Sequence, residues 1–275
     1  MTQLPQTIGF VGAGNMASAI IGGLLSAGYD PKRLCAVDPS EAALAKLRAL
    51  GLSELGTQPS QGFKNCELVV LAVKPQLMAA AAKGIKHHLS AHTAVMSVAA
   101  GISVNALKTQ LANASLPVVR CMPNTPALVG AGASGLFASP EITAEQRAGI
   151  ESVMGVVGTT VWLEEENHID VVTAISGSGP AYFFAFMEAM ITAGEKLGLD
   201  QQTASQLTLQ TALGAAKLAT QGSDAVSELR RNVTSPGGTT ERALESFDQD
   251  NLAQLVDRGM QACLARAQEM AKEFG

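Results

Sequence analysis

Short apolar runs recur along the first half of the chain: Thr7-Ile8-Gly9-Phe10-Val11, Leu34-Cys35-Ala36-Val37, Leu68 to Val73, Ala94 to Val98, and Val118-Val119-Arg120-Cys121. Runs of this length without polar alternation are strands buried on both faces, as in a parallel sheet. Between them lie segments with helical periodicity, Met16 to Ala27, Glu41 to Leu50 and Leu77 to Lys86. Strand and helix in alternation predict an α/β layer with an open parallel sheet. Gly56 to Lys64 is polar and irregular. Gly132 to Phe137, a helix over Thr143 to Val157, and Thr159 to Leu163 complete the layer, with the strand directions left open.

The pattern changes after Glu164-Glu165-Glu166, an acidic run that reads as a solvated boundary. From Ile169 onward the periodicity is almost entirely helical: Ala181 to Lys196, Asp200 to Thr220, Ala225 to Arg231, Thr240 to Ser246 and Leu252 to Lys272. The expected domains are therefore 1–163 and 164–275. The Ala181 helix is apolar nearly all round, with Tyr182, Phe183, Phe184, Phe186 and Met187, and calls for burial on almost every side. A helical half of this size cannot bury that surface alone, so a homodimer through these helices is expected.

Composition narrows the function. With 275 residues, 47% hydrophobic and 16% charged, the chain has material for two cores and no disordered signature. A net charge of −5 without a Lys/Arg cluster argues against nucleic acid as a partner. No charged leader with an apolar run is evident, and the apolar stretch Ala181–Ala193, broken by Glu188, is short for a bilayer. A cytoplasmic protein with no membrane partner is expected. Cys35, Cys66, Cys121 and Cys263 show no pairing pattern and read as reduced thiols. His87, His88 and His92 sit in a polar connection without nearby Cys, Asp or Glu, so no metal site is expected.

Two stretches carry chemistry. Gly12-Ala13-Gly14-Asn15-Met16-Ala17 follows the first strand and opens a helix, the G-x-G-x-x-A arrangement that suits a dinucleotide. Gly12 serves the tight turn, Gly14 lets backbone approach a pyrophosphate, and Ala17 keeps helix and strand close. Asp38 ends the second strand, where a carboxylate binds ribose hydroxyls; it equally suits the start of the following helix. A carboxylate there repels a 2′-phosphate and favours NADH over NADPH, a preference that Ser40 softens. Ligands of such sheets bind outside the carboxyl ends of the strands, so Ala72-Val73-Lys74-Pro75, Val98-Ala99-Ala100 and Asn124 should line the same crevice. The second stretch is Val233-Thr234-Ser235-Pro236-Gly237-Gly238-Thr239-Thr240. It suits a turn with bare N–H groups and hydroxyls converging on an anion at a helix start; an ordinary loop with a Thr cap is the alternative.

With both halves in view the sequence resembles pyrroline-5-carboxylate reductase along essentially its whole length. The resemblance rests on Gly9 to Met16, Ala72-Val73-Lys74-Pro75-Gln76, Arg120-Cys121-Met122-Pro123-Asn124-Thr125-Pro126, Ser176-Gly177-Ser178-Gly179-Pro180-Ala181-Tyr182, and above all Glu228 to Thr240. It implies an N-terminal Rossmann-type dinucleotide-binding domain followed by an all-α dimerisation domain. It also implies reduction of 1-pyrroline-5-carboxylate to L-proline with NADPH or NADH, the last step of proline biosynthesis. The active site would be shared between subunits of a homodimer that assembles further, often to a homodecamer. Some relatives carry Ser or Thr at the place of Asp38, and many prefer NADPH. The Asn that some relatives place beside the adenosine is replaced here by Gln58-Pro59-Ser60.

The chemistry of a cyclic imine carrying a carboxylate assigns the second stretch to substrate, and the resemblance places Thr240 within it. Ser235, Gly237, Gly238, Thr239 and Thr240 would hold the carboxylate, and Thr240 would hydrogen-bond the ring nitrogen. Asn232 would contact substrate or the nicotinamide end; Lys74 would pack by the cofactor loop, with a role as general acid the alternative. A protonated cyclic imine is already electrophilic, so alignment matters more than a strong acid. A Thr hydroxyl is a poor acid, and the proton would come from water or from the iminium itself. The rival enzyme class is a β-hydroxyacid dehydrogenase with a catalytic lysine, Lys196 or Lys217. A non-catalytic nucleotide sensor is a further alternative.

Overall fold

The computed structural model describes residues 4–274. Its centre is an eight-stranded sheet of order β3-β2-β1-β4-β5-β6-β7-β8. The strands are β1 (Ile8–Val11), β2 (Leu34–Val37), β3 (Glu54–Gly56), β4 (Leu68–Leu71), β5 (Ala94–Ser97), β6 (Val118–Met122), β7 (Gly132–Ala138) and β8 (Gly158–Trp162). Helices α1 (Asn15–Ser26), α2 (Glu41–Ala49), α3 (Met78–Ile85), α4 (Val104–Gln110) and α5 (Ala144–Gly155) connect them. Side-chain caps fix several starts: Ser40 accepts from Ala43 N ahead of α2, and Thr143 and Gln146 form a reciprocal capping box ahead of α5.

Residue alternation explains the double-sided core. Leu68 and Val70 of β4 join Ile8, Phe10, Ile20 and Leu24 on one face, while Val69 and Leu71 join Val95, Met78 and Ile85 on the other. All of these side chains are fully buried, each contributing roughly 1.5–3 kcal/mol of transfer free energy.

Three features went unread in the sequence. The edge strand β3 has only three residues and none is buried, so it lacks an apolar run. The short α4, of 7 residues, carries too little periodicity to mark it in the sequence. The direction of β7 was open: it runs antiparallel to β6, and β8 then lies parallel to β7. The link from β6 to β7 is a short turn over Thr125–Val129 closed by Gly130 at φ +70. So brief a link joins neighbouring strands only in the antiparallel sense. Burial also brings Cys35 Sγ and Cys66 Sγ to 3.5 Å, a neighbourhood their sequence separation concealed.

The remaining helices are α6 (His168–Val172), α7 (Gly179–Lys196), α8 (Gln201–Gln221), α9 (Val226–Asn232), α10 (Thr239–Gln249) and α11 (Leu252–Phe274); a π-helical turn, Thr173–Gly177, follows α6. Compactness divides the described residues into 4–178 with 262–274, and 179–261. The break in periodicity after Leu163 and this division therefore fall at different places. Val172 of α6 fills the space over Gly135 of β7, where a Cβ would come within 2.8 Å of it. The end of α11 belongs to the sheet unit too, since Met270 lies against Gly101 and Cys263 Sγ is 3.2 Å from Ser178 Oγ. The Glu164–Glu166 run is not wholly solvated either: Glu166 turns inward to accept from Val104 N at 2.7 Å.

In the second unit α7 packs along α8, with Gly194 close to Ala204, and Phe186 meets Phe247 edge to face at 6.4 Å between ring centroids. Within one chain α7 is not buried as its composition demands: Phe183 is 69% and Phe184 62% exposed. The helical run His168–Lys196 is long and apolar enough, by length and composition alone, to cross a membrane. The run is longer than the apolar stretch Ala181–Ala193 because the helix continues on the N-terminal side of Pro180.

Candidate active site

Strand β1 has β2 on one side and β4 on the other, so the chain reverses its winding there and opens a crevice at the strands' carboxyl ends. Gly12 lies at this point with φ +100. Its N–H donates to Val37 O at 2.7 Å, and a Cβ on it would lie 2.5 Å from Ala72 O. Only glycine fits. Gly14 is the N-cap of α1, without a capping side chain, and an added Cβ there would meet no atom within 4 Å. Asn15 and Met16 open a helix whose first amides have no acceptor in the helix itself. Bare amides, a positive helix end and open space fit a pyrophosphate.

Asp38 ends β2 with both carboxylate oxygens engaged. Oδ2 accepts from Ala13 N and Oδ1 from Ser40 N, each at 2.8 Å. The cap of α2 is Ser40 rather than Asp38. Asp38 thus ties the glycine loop to the start of α2, and each oxygen keeps a lone pair for a hydroxyl. Beside it is a cavity of about 280 Å³ lined by Gly12, Asp38, Pro39, Gln58, Pro59 and Ala81 among others. Gln58 and Pro59, not counted as site residues from sequence, form part of its wall.

The other strand ends divide their roles. Ala72 N donates to Val11 O at 2.8 Å, and Val73 packs at the place a Gly12 Cβ would take. Lys74 is exposed and caps the turn Pro75–Leu77. Val98 and Ala100 are half-buried, whereas Ala99 is buried in the second core cluster, so it can offer only backbone. Asn124 is buried and its amide is engaged at both ends: Oδ1 accepts from Ala133 N at 2.9 Å and Nδ2 donates to Ser176 O at 3.0 Å. Its side chain is a staple between β6, β7 and the π turn.

One charged group went unread. Arg120, in the middle of β6, is 3% exposed. Its Nη2 lies 2.9 Å from Asp170 Oδ1 and its Nη1 3.5 Å from Glu166 Oε1. An arginine inside an apolar strand is the signal that marks it, because a buried guanidinium requires a partner.

The hydroxyl-rich turn lies in the second unit. Gly237 has φ +72, and α10 begins at Thr239 with Gly238 as N-cap and no side-chain cap. The Thr-capped loop is therefore not the arrangement found. The glycine amides, expected bare, are engaged: Gly237 N donates to Glu241 Oε2 at 2.7 Å and Gly238 N to Ser235 O at 2.9 Å. A first-turn glutamate reaching back at a positive helix end accounts for the former. Thr234 Oγ1 is spent on Arg230 O. Among the described residues the Ser235, Thr239 and Thr240 hydroxyls and the Asn232 amide have no partner within the chain, and all four residues are exposed. The free donors of this turn are thus hydroxyls and the first amides of α10.

Comparison with known proteins adds identity. A family model described as pyrroline-5-carboxylate reductase dimerisation matches residues 166–270, and one described as NADP oxidoreductase, coenzyme F420-dependent, matches residues 7–101. A pyrroline-5-carboxylate reductase of Pseudomonas aeruginosa is 45% identical over 268 residues, covering 98% of each chain. The solved structure of a pyrroline-5-carboxylate reductase from Coxiella burnetii superposes with a TM-score of 0.92 at 41% identity, over 97% of this chain and 98% of that one. The Plasmodium falciparum pyrroline carboxylate reductase, solved with NADP bound, gives 0.84 at 27% identity, over 98% and 99%. Full-length identity at this level, carried by the Rossmann-type half and the helical half together, means that the chain belongs to the pyrroline-5-carboxylate reductase family.

Proposed function

We propose that this chain reduces 1-pyrroline-5-carboxylate to L-proline, with Gly12 to Met16 and Asp38 holding NAD(P)H and Asn232 to Thr240 holding the imine. The observation that carries the cofactor assignment is the open, uncapped start of α1 beside Gly14, next to a loop that admits no side chain at Gly12. When bound, NAD(P)H supplies the hydride. The chain's own task is to align two reactants and shed water around them.

Ser235, Thr239 and the first amides of α10 bind the substrate carboxylate, supported by their lack of partners within the chain. Gly237 and Gly238 shape the turn rather than donate, since their amides are taken. Thr240 hydrogen-bonds the ring nitrogen and steadies the position of its proton. Among the strand ends, Ala72, Val73, Pro75, Val98, Ala99 and Ala100 contribute backbone or apolar contact to the cofactor, Lys74 flanks it, and Asn124 supports it through the π turn. Asp38 favours NADH by repelling a 2′-phosphate, against the NADPH preference common in relatives.

The segment 164–275 serves dimerisation, its exposed Phe183 and Phe184 being covered by a second copy, and dimers assemble further toward a decamer. The run His168–Lys196 belongs mostly to that interface rather than to a membrane, and the protein works in the cytoplasm without nucleic acid. The deciding experiment follows NAD(P)H absorbance with purified protein and pyrroline-5-carboxylate, using both cofactors. Consumption of neither would end the proposal.

A further inference from the structure

Every second residue at the end of β6 reaches the same segment. Arg120 pairs with Asp170 at 2.9 Å, Met122 fills the space over Gly177, where a Cβ would lie 2.6 Å from its Cε, and Asn124 donates to Ser176 O at 3.0 Å. Side chains two apart along extended backbone share a face, so β6 and the extended residues that follow it to Asn124 present a three-point register to α6 and the π turn Thr173–Gly177. Arg120 is 3% and Asp170 8% exposed. A π turn has few uses in a helix that only needs to pack, and such turns concentrate at functional sites.

The sheet order sets this turn's place. Asp38 ends β2, and β1, β4 and β5 separate β2 from β6. At about 4.8 Å per strand the two strand ends are roughly 19 Å apart. In this architecture each half of a dinucleotide lies over one half of the sheet. An adenosine held at Asp38 directs the nicotinamide half toward β4, β5 and β6, whose end carries Asn124 and the π turn.

We propose that Arg120 and Asp170 are positioning residues: their buried ion pair fixes the π turn at the carboxyl end of β6, and the turn sets where the nicotinamide ring rests. The proposal builds on the cofactor assignment above. Glu166, 3.5 Å from Arg120, assists but cannot replace Asp170, because it is also tied to Val104 N.

The test separates positioning from simple stability. In the double variant Arg120→Met/Asp170→Leu, apolar groups replace the pair, which keeps the fold when such a pair only fills space. Two affinities are measured on the purified full-length protein, for NADH and for ADP-ribose, which shares the adenosine half and lacks the ring. The expected result is ADP-ribose affinity within twofold of wild type, NADH affinity lowered tenfold or more, and kcat lowered at least tenfold. Equal changes for both ligands, or none in either, would overturn the proposal. Asp170→Asn, which keeps the shape, provides a second reading with kcat normalised to sites titrated by ADP-ribose; wild-type kcat per site counts against the pair. If neither variant binds ADP-ribose, the pair is a folding element and the positioning role is rejected. Should wild-type protein fail to reduce the imine, the proposed reaction falls, while the split between ring and adenosine affinity still decides the role of the pair.

Discussion

Gly12→Ala and Gly14→Ala make a matched pair of perturbations two residues apart. At Gly12 the backbone has φ +100 and an ideal Cβ falls 2.5 Å from Ala72 O. A side chain held at positive φ costs about 1–3 kcal/mol, and overpacking against fixed backbone adds about 1–3 more. The loop has little room to yield, because Gly12 N is bonded to Val37 O and Ala72 N to Val11 O. At roughly 2–4 °C per kcal/mol for a unit of this size, the combined cost of about 2–6 kcal/mol should lower the Tm by about 4–24 °C. At Gly14 the φ is an ordinary −73 and nothing lies within 4 Å. Alanine at an N-cap costs about 1 kcal/mol or less relative to glycine, so the Tm should stay within ~4 °C. Its methyl nevertheless enters the space assigned to the pyrophosphate. Losing one or two hydrogen bonds to a charged group, each about 1.5–3 kcal/mol, raises the NADH Kd roughly 10–100-fold or more. Calorimetry and fluorescence titration of NADH measure both quantities. Wild-type NADH affinity in Gly14→Ala would show that the pyrophosphate does not rest at Gly14, and wild-type melting in Gly12→Ala would show that the loop yields around a side chain.

Thr240→Ala should lower kcat by tenfold or more with NADH affinity unchanged, and Thr240→Ser should recover much of the rate; a wild-type rate in the alanine variant removes Thr240 from the site. Asp38→Ser should shift the ratio of kcat/KM toward NADPH by about tenfold or more, since like charges ~4 Å apart cost about 1–4 kcal/mol at a partly wet site; an unchanged ratio excludes Asp38 from cofactor choice. The Glu141 carboxyl is held down to about 2, chiefly by the Lys108 ammonium 2.7 Å away and also by the neighbouring Ser139. A depressed carboxyl pKa contributes stability above the unfolded-state value of about 4.3, and that contribution is lost as pH falls toward 2. Glu141→Gln should therefore flatten the decline of Tm with acid over that window, modestly because the group is partly exposed; parallel curves would contradict the assignment.

Much of the cofactor side was legible in the chain because its determinants are local. A strand running into Gly12 and Gly14 and then a helix is a contiguous pattern, and Asp38 lies at the end of the next apolar run. The Ser235–Thr240 turn was likewise visible as composition. What local pattern does not encode is which donors a turn consumes internally. Glu241 takes the Gly237 amide and Ser235 O the Gly238 amide, which moves the available donors onto hydroxyls and onto α10. Asn124 shows the same effect, since its amide is used up by two groups far along the chain.

The strand–helix alternation, the glycine loop and the helical second half are written in local pattern, set by neighbours within a few tens of residues, while the family resemblance rests on motifs spread from Gly9 to Thr240. The antiparallel turn of β7, the placement of 164–178 and 262–274 with the sheet, and the pairing of Arg120 with Asp170 emerge only on packing. These arise from contacts between distant segments whose partners are selected by burial: an arginine enclosed in a strand must find its carboxylate wherever the packed chain delivers one.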